Sequence, residues 1–153
     1  MGERIAISKK KIWLLLIVVI AVVLIVLYSK RQIAFIDVTE LNTATIESAQ
    51  TSYPEGMNWH NLTADELEQL SVLLNSLEVR KKLIPNVQAF NADSYIVIYA
   101  KEPETTFSIK FDYDRNIIGL IEGQKTMEQY IVERDSKLFL FVQNLINNNV
   151  KKL

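Results

Sequence analysis

Few residues in this chain have the type and spacing for chemistry. His60 is the only histidine. It stands in EGMNWHNLTADE with Asp65 and Glu66 a few residues on, where a carboxylate could orient an imidazole as a general base. The chain offers it no nucleophile, since cysteine is absent and no serine sits on a GxSxG elbow. A metal at His60 would need every other ligand to be a carboxylate, so the residue reads as a solvated loop histidine. Asp112, Asp114 and Asn116 place oxygen donors at the i, i+2, i+4 spacing that opens a calcium loop. The rest of that loop is missing: Ile117 stands where glycine is required and Gly123 where a bidentate glutamate is required, with Glu122 one residue short. A polar hairpin turn is expected there instead, with Asp112 on a wet sheet face. Asp65, Glu66 and Glu68 fall in the opening of a predicted helix, where carboxylates complement the macrodipole. Asn61-Leu62-Thr63 has the form of a glycosylation sequon, but Thr63 already has a role as a helix cap. No catalytic, cofactor-binding or metal-ligating residue is assigned, and no enzymatic activity is expected.

Tyr53, Met57, Trp59 and His60 form a different kind of candidate. They crowd a short segment punctuated by Pro54 and Gly56, between a predicted strand and a predicted helix. Aromatic residues and Met on a loop are favoured at contact surfaces. They can equally fold back as a lid over an open end of the core, and of the two readings the lid carries more weight. If the protein has a partner, the segment Tyr53 to His60 is expected to touch it.

The elements that position these residues begin with a membrane segment. Residues 12–28, IWLLLIVVIAVVLIVLY, contain no charge, and a helix of that length rises about 26 Å, enough to cross a bilayer with little tilt. Lys11 lies before it and Lys30 and Arg31 after it, while Trp13 and Tyr28 are amphipathic rings near its two ends, where interfacial aromatics are favoured. The run is long for a removable signal peptide, and no pair of small residues marks a cleavage site after it. More Lys and Arg precede the run than immediately follow it, so residues 1–11 are expected to be a basic cytoplasmic tail and residues 32–153 an extracytoplasmic domain. The run holds no Asp, Glu, Lys, Arg or His and Ala21 as its one small residue, which leaves it without an ion path or a small-residue dimer seam. A plain single-pass tether in the cell membrane is the expectation.

Of 17 Lys and Arg and 18 Asp and Glu in the chain, six and one lie in residues 1–31, which leaves 11 and 17 and a net charge of −6 for residues 32–153. A mildly acidic domain repels phosphate backbones, so nucleic acid is not expected as a partner. Without cysteine there is no disulfide and no lipoprotein anchor, so the domain must be held by its core. Gln32 to Ala49 alternates in IAFIDV and TATIES and predicts a hairpin. Thr63 and Glu66 have the spacing of a capping box, with Leu62 and Leu67 as a hydrophobic staple. Leu67, Leu70, Leu74 and Leu77 continue one helical face, predicting a helix over 64–79 that ends in the cations Arg80, Lys81 and Lys82. SYIVIYA, TFSIKFDY, IIGLIE and TMEQYIVE, divided by KEPET, DRN and GQK, predict a four-strand meander with one buried face and one wet face. Asp135 is placed to cap a last helix striped by Leu138, Phe141, Val142, Leu145 and Ile146. Pro85 confines LIPNV to an edge strand or a loop.

The expected fold is therefore α+β: a single transmembrane helix, then an antiparallel sheet of a hairpin plus a four-strand meander, packed against two amphipathic helices. The order of anchor, strand pair, TADELEQLSVLLNSL helix, meander and closing helix resembles the small, uncharacterised ectodomains carried on membrane anchors or lipoproteins of Gram-positive bacteria. The resemblance bears on fold and location, and this chain lacks the lipoprotein cysteine. In function, the leading expectation is a non-enzymatic domain that binds a protein or peptide outside the cell, in an accessory, immunity or sensing role. The alternative is an extracytoplasmic hydrolase or ligand-binding enzyme whose carboxylates are brought together from distant segments, which spacing cannot reveal.

Overall fold

The apolar run forms one uninterrupted helix, α1 (Lys9–Lys30). Within it Lys10–Tyr28, 19 residues with a mean hydropathy of 3.0, has 0% of its most apolar stretch buried. Apolar side chains surround its axis, unlike an amphipathic helix that keeps a polar face. The computed structural model describes residues 9–52, 59–82, 90, 92–133 and 136–150. It divides the chain into two units, Met1–Arg31 and Gln32–Leu153.

In the second unit the strands are β1 (Ile33–Ala34), β2 (Ile46–Ser52), β3 (Trp59–Asn61), β4 (Glu78–Lys81), β5 (Ser94–Ala100), β6 (Thr105–Asp112), β7 (Ile117–Glu122) and β8 (Glu128–Val132). They lie in one antiparallel sheet in the order β1-β4-β8-β7-β6-β5-β2-β3. The predicted meander is its centre. Ile96 pairs with Ile109 and Ile109 with Leu120, while Ile98 pairs with Phe107 and Phe111 with Ile118. Because side chains alternate along a strand, these residues share one face, and Ile96, Ile98, Phe107, Ile109, Phe111 and Ile118 are all fully buried. Helices α2 (Ala64–Asn75) and α3 (Lys137–Val150) add Leu70, Leu74, Leu138 and Val142 to the same core. Phe139 of α3, absent from the predicted stripe, is buried with its ring edge-on to Phe111 and Tyr113, centroids 5.6 and 5.2 Å away. The α+β class is thus observed.

Three expectations require correction. First, Gln32 to Ala49 does not form a hairpin: β1 pairs with β4, β2 pairs with β3 and β5, and five strands separate β1 from β2. Alternation gave each run a strand-like pattern, but Phe35 is drawn into the core against the Tyr130 ring at 6.4 Å. The chain there turns through Phe35–Asp37 in a 3-10 helix. Second, α2 stops at Asn75 and not near 79, with Ser76 as its C-cap. Leu77 and Val79 are buried while Glu78 is exposed, a period of two that continues as β4. Arg80 and Lys81 accordingly pair with Ile131 and Tyr130 across β8 instead of closing a helix. Third, the outer face of the sheet is not uniformly wet. Ile117, Asp112 and Gln129 on that face are buried, and a Cβ on Gly119 would stand 2.7 Å from Met127 Sδ and 3.2 Å from Phe90 Cζ. Those two side chains cover the middle of that face. Pro85 and Asp135 lie outside the described residues.

The capping box that starts α2 is formed as the sequence predicts. Thr63 Oγ1 accepts from the Glu66 amide at 3.4 Å and Glu66 Oε2 accepts from the Thr63 amide at 2.7 Å. Replacing Thr63 with Ala leaves the Glu66 amide without its acceptor. Urea unfolding of the Gln32–Leu153 domain should show a loss of about 1 kcal/mol with an unchanged slope, and an unmoved midpoint would contradict a structural role for the cap.

Candidate functional site

Alternation along β3 places Trp59 and His60 on opposite faces of the sheet. On the outer face one row crosses six strands: Trp59, Ser52, Tyr95, Lys110, Gly119 and Gln129. It is buried at the Gln129 end and open at the other, where Trp59 is 49% exposed and Tyr99, two rows along, is 39% exposed. The Trp59 ring stands edge-on to Tyr95, with centroids 5.4 Å apart, the geometry that aromatic quadrupoles favour. Tyr53 and Met57 lie outside the described residues.

His60 is not a free loop residue. It belongs to β3, and its Nε2 lies 3.3 Å from Glu66 Oε2, the oxygen that also caps α2. Burial pulls the Glu66 carboxyl up, but the Thr63 amide and the neighbouring imidazole outweigh it and hold the group below the usual glutamate range. An ionised carboxylate is therefore shared between the edge strand and the helix start.

Asp112 is buried, contrary to its expected position on a wet face. Its Oδ1 accepts from the Arg115 amide at 3.1 Å and its Oδ2 lies 3.5 Å from the Arg115 guanidinium. Asn116 takes φ 53°, a left-handed conformation in which Asn is tolerated. These contacts close a polar hairpin turn between β6 and β7. Beside it the Tyr113 hydroxyl meets Ser94 Oγ at 2.6 Å, and burial together with the charge of Asp93 pushes its pKa up to about 12 despite that bond. Among the described residues no group of three or more His, Asp or Glu side chains is arranged to hold a metal ion.

A third feature has no signature in local spacing. A cleft of about 610 Å³ is lined by Asp37, Val38, Thr39 and Glu40 on one side and by Leu120, Glu122, Lys125, Thr126 and Glu128 on the other. Glu122 Oε1 accepts from the Thr39 hydroxyl at 2.5 Å and the Glu40 amide at 2.9 Å, and its Oε2 accepts from Lys125 Nζ at 2.9 Å. Lys125 also reaches Glu40 Oε1 at 2.7 Å. One row across, Glu128 accepts from Lys81 Nζ at 2.9 Å and from the Tyr130 hydroxyl. Burial raises the Glu122 carboxyl, but its bonds from Thr39, Lys125 and the Glu40 amide prevail and hold it below the usual range. The bonds from Tyr130 and Lys81 hold Glu128 low as well, and burial followed by the Glu128 carboxylate pushes the Tyr130 phenol up. A general acid near neutral pH needs a carboxyl that is raised while its partner stays low; here both are low. These bonds fasten the irregular segment after β1 to the end of the meander, joining residues 82 and 83 positions apart.

Comparison of the chain with protein-family models, with curated proteins and with solved structures gave no match in any of the three.

Because the folded Glu122 carboxyl lies below its unfolded value of about 4.3, its stabilising share is complete above that value and is lost as pH falls through the folded pKa. Glu122→Gln should therefore lower the urea midpoint of the domain at pH 7, and the gap from the parent should shrink at pH 3. A gap of equal size at both pH values would contradict the fastening role of the ionised carboxylate.

Proposed function

We propose that the chain is a single-pass membrane protein in which residues 12–28 span the bilayer, the N-terminus is cytoplasmic and residues 32–153 stand outside the cell as a non-enzymatic protein- or peptide-binding domain. The observation that carries the anchor is α1: Lys10–Tyr28 has a mean hydropathy of 3.0 with none of its most apolar stretch buried. The hydrophobic effect leaves such a helix two solvents, lipid or other protein, and the polar helix ends fit a bilayer with headgroups on both sides. The basic excess before the run supports the orientation.

The binding reading draws on the outer face of β3 and β5, where Trp59, Tyr95 and Tyr99 leave aromatic surface at an edge of the sheet. Trp is enriched among residues whose truncation weakens binding by about 2 kcal/mol or more. The rival enzyme reading draws on the acidic cleft, and the two depressed carboxyls there weigh against it, because each is ionised and already bonded.

Two measurements test this reading. A phosphatase that is active only outside the cytoplasm, fused after Leu153, should be active; a silent phosphatase with an active cytoplasm-only reporter at the same site would reverse the orientation. For the contact face, Trp59→Ala should leave the melting temperature of the domain within about 3 °C, since an exposed ring makes no large cavity, while capture of a partner from cell-surface extract falls about 30-fold. Early melting, as for a buried Trp, would remove this face from the account.

A further inference from the structure

Every charge in the first unit lies at or beyond an end of α1. Lys9, Lys10 and Lys11 open the helix and Lys30 closes it, Arg4 precedes it, Arg31 follows, and from residue 4 to residue 36 the chain has no Asp or Glu. Consecutive helical positions turn by about 100°, so the three lysine positions are spread around about 200° of the circumference and form a collar instead of a stripe. Lys10 and Lys11 are exposed. Trp13, 66% exposed, stands two residues further on, at the depth where an indole prefers the boundary between headgroup and hydrocarbon. Glu3 is the one acidic residue among residues 1–31, so the first unit's own carboxylate balances only one of its cations.

We propose that this collar selects anionic phospholipid headgroups over zwitterionic ones in the leaflet at the N-terminal end of α1, an inference that rests on α1 spanning the bilayer. Ammonium groups on long stems reach from the helix end to lipid phosphates, and each cation near an anionic surface adds about fivefold to the attraction. A zwitterionic headgroup offers a phosphate but carries its own ammonium, which opposes lysine. The other end of α1 has two cations, Lys30 and Arg31, and leads into a domain of net negative charge, so the preference belongs to the Lys9–Lys11 end.

Trp13 is a built-in reporter. The full chain is reconstituted in phosphatidylcholine vesicles containing phosphatidylglycerol, with bromine on the acyl chains of one lipid or the other, and Trp13 fluorescence quenching gives the relative occupancy around that end. A Trp13→Phe variant supplies the background from Trp59. The expected ratio is at least about fivefold in favour of phosphatidylglycerol. It should fall toward one in the K9Q/K10Q/K11Q variant and in about 1 M salt, which shortens the screening length to about 3 Å, and it should be kept in K30Q/R31Q. A ratio of one in the parent chain, with quenching present, would overturn the lipid preference while leaving the anchor intact; a ratio untouched by the triple substitution would do the same for the collar. Absence of quenching by either brominated lipid would overturn the spanning helix itself, and the lipid proposal with it.

Discussion

The proposed arrangement depends on one constraint: among the described residues, nothing buries the most apolar stretch of α1. A helix whose most apolar stretch is 0% buried exposes leucine, isoleucine and valine around its whole circumference, and each such side chain left in water forgoes about 1.5 to 3 kcal/mol. In the proposed reading lipid satisfies that surface, and Gln32–Leu153 must then fold on its own resources, without cysteine and without help from the most apolar segment of the chain. The core it builds is correspondingly continuous. Residues from the central strands, both helices and Phe35 enter one cluster.

The inner face of the sheet shows how this core is bounded. Along the row His60, Thr51, Ile96, Ile109, Leu120 and Glu128, the centre is apolar and both ends are ionisable. At one end His60 meets Glu66 at the start of α2, and at the other Glu128 accepts from Lys81 of β4 and Tyr130 of β8, beside the cleft that residues 37–40 line and the Glu122 bonds to Thr39 and Glu40. These are charge-assisted bonds in partly exposed places, which add orientation at moderate energetic cost. The hydrogen bonds that make this fastening are also what hold the Glu66, Glu122 and Glu128 carboxyls low.

Much of the fold was legible because it is local. The four meander strands lie where alternation and the turn residues put them, the capping box at Thr63 and Glu66 forms, and Leu138, Val142, Leu145 and Ile146 face the core as their spacing requires. The fold departs from the local pattern where that pattern admits two answers. Leu74 and Leu77 fit a helical period, yet Leu77 with Val79 also fits a period of two, and burial in β4 decided between them. IAFIDV alternates like a strand, but the core position of Phe35 outweighs pairing with the next run. The Glu122 cluster had no signal at all, since its partners come from segments more than 80 residues apart. Trp59 and His60, adjacent in sequence, lie on opposite faces of β3, the tryptophan outward and the histidine toward the α2 cap.

In the proposed reading two units of this chain answer to different solvents, α1 to lipid and the domain to its own core. Hydrogen exchange of the full chain in phospholipid vesicles tests it most directly. Two separately protected blocks are expected, one within Lys10–Tyr28 and one in the central strands from Ser94 to Val132, with urea sufficient to unfold the domain erasing the second block and leaving the first. Free exchange of the helix amides in vesicles, or loss of both blocks in a single transition, would contradict it.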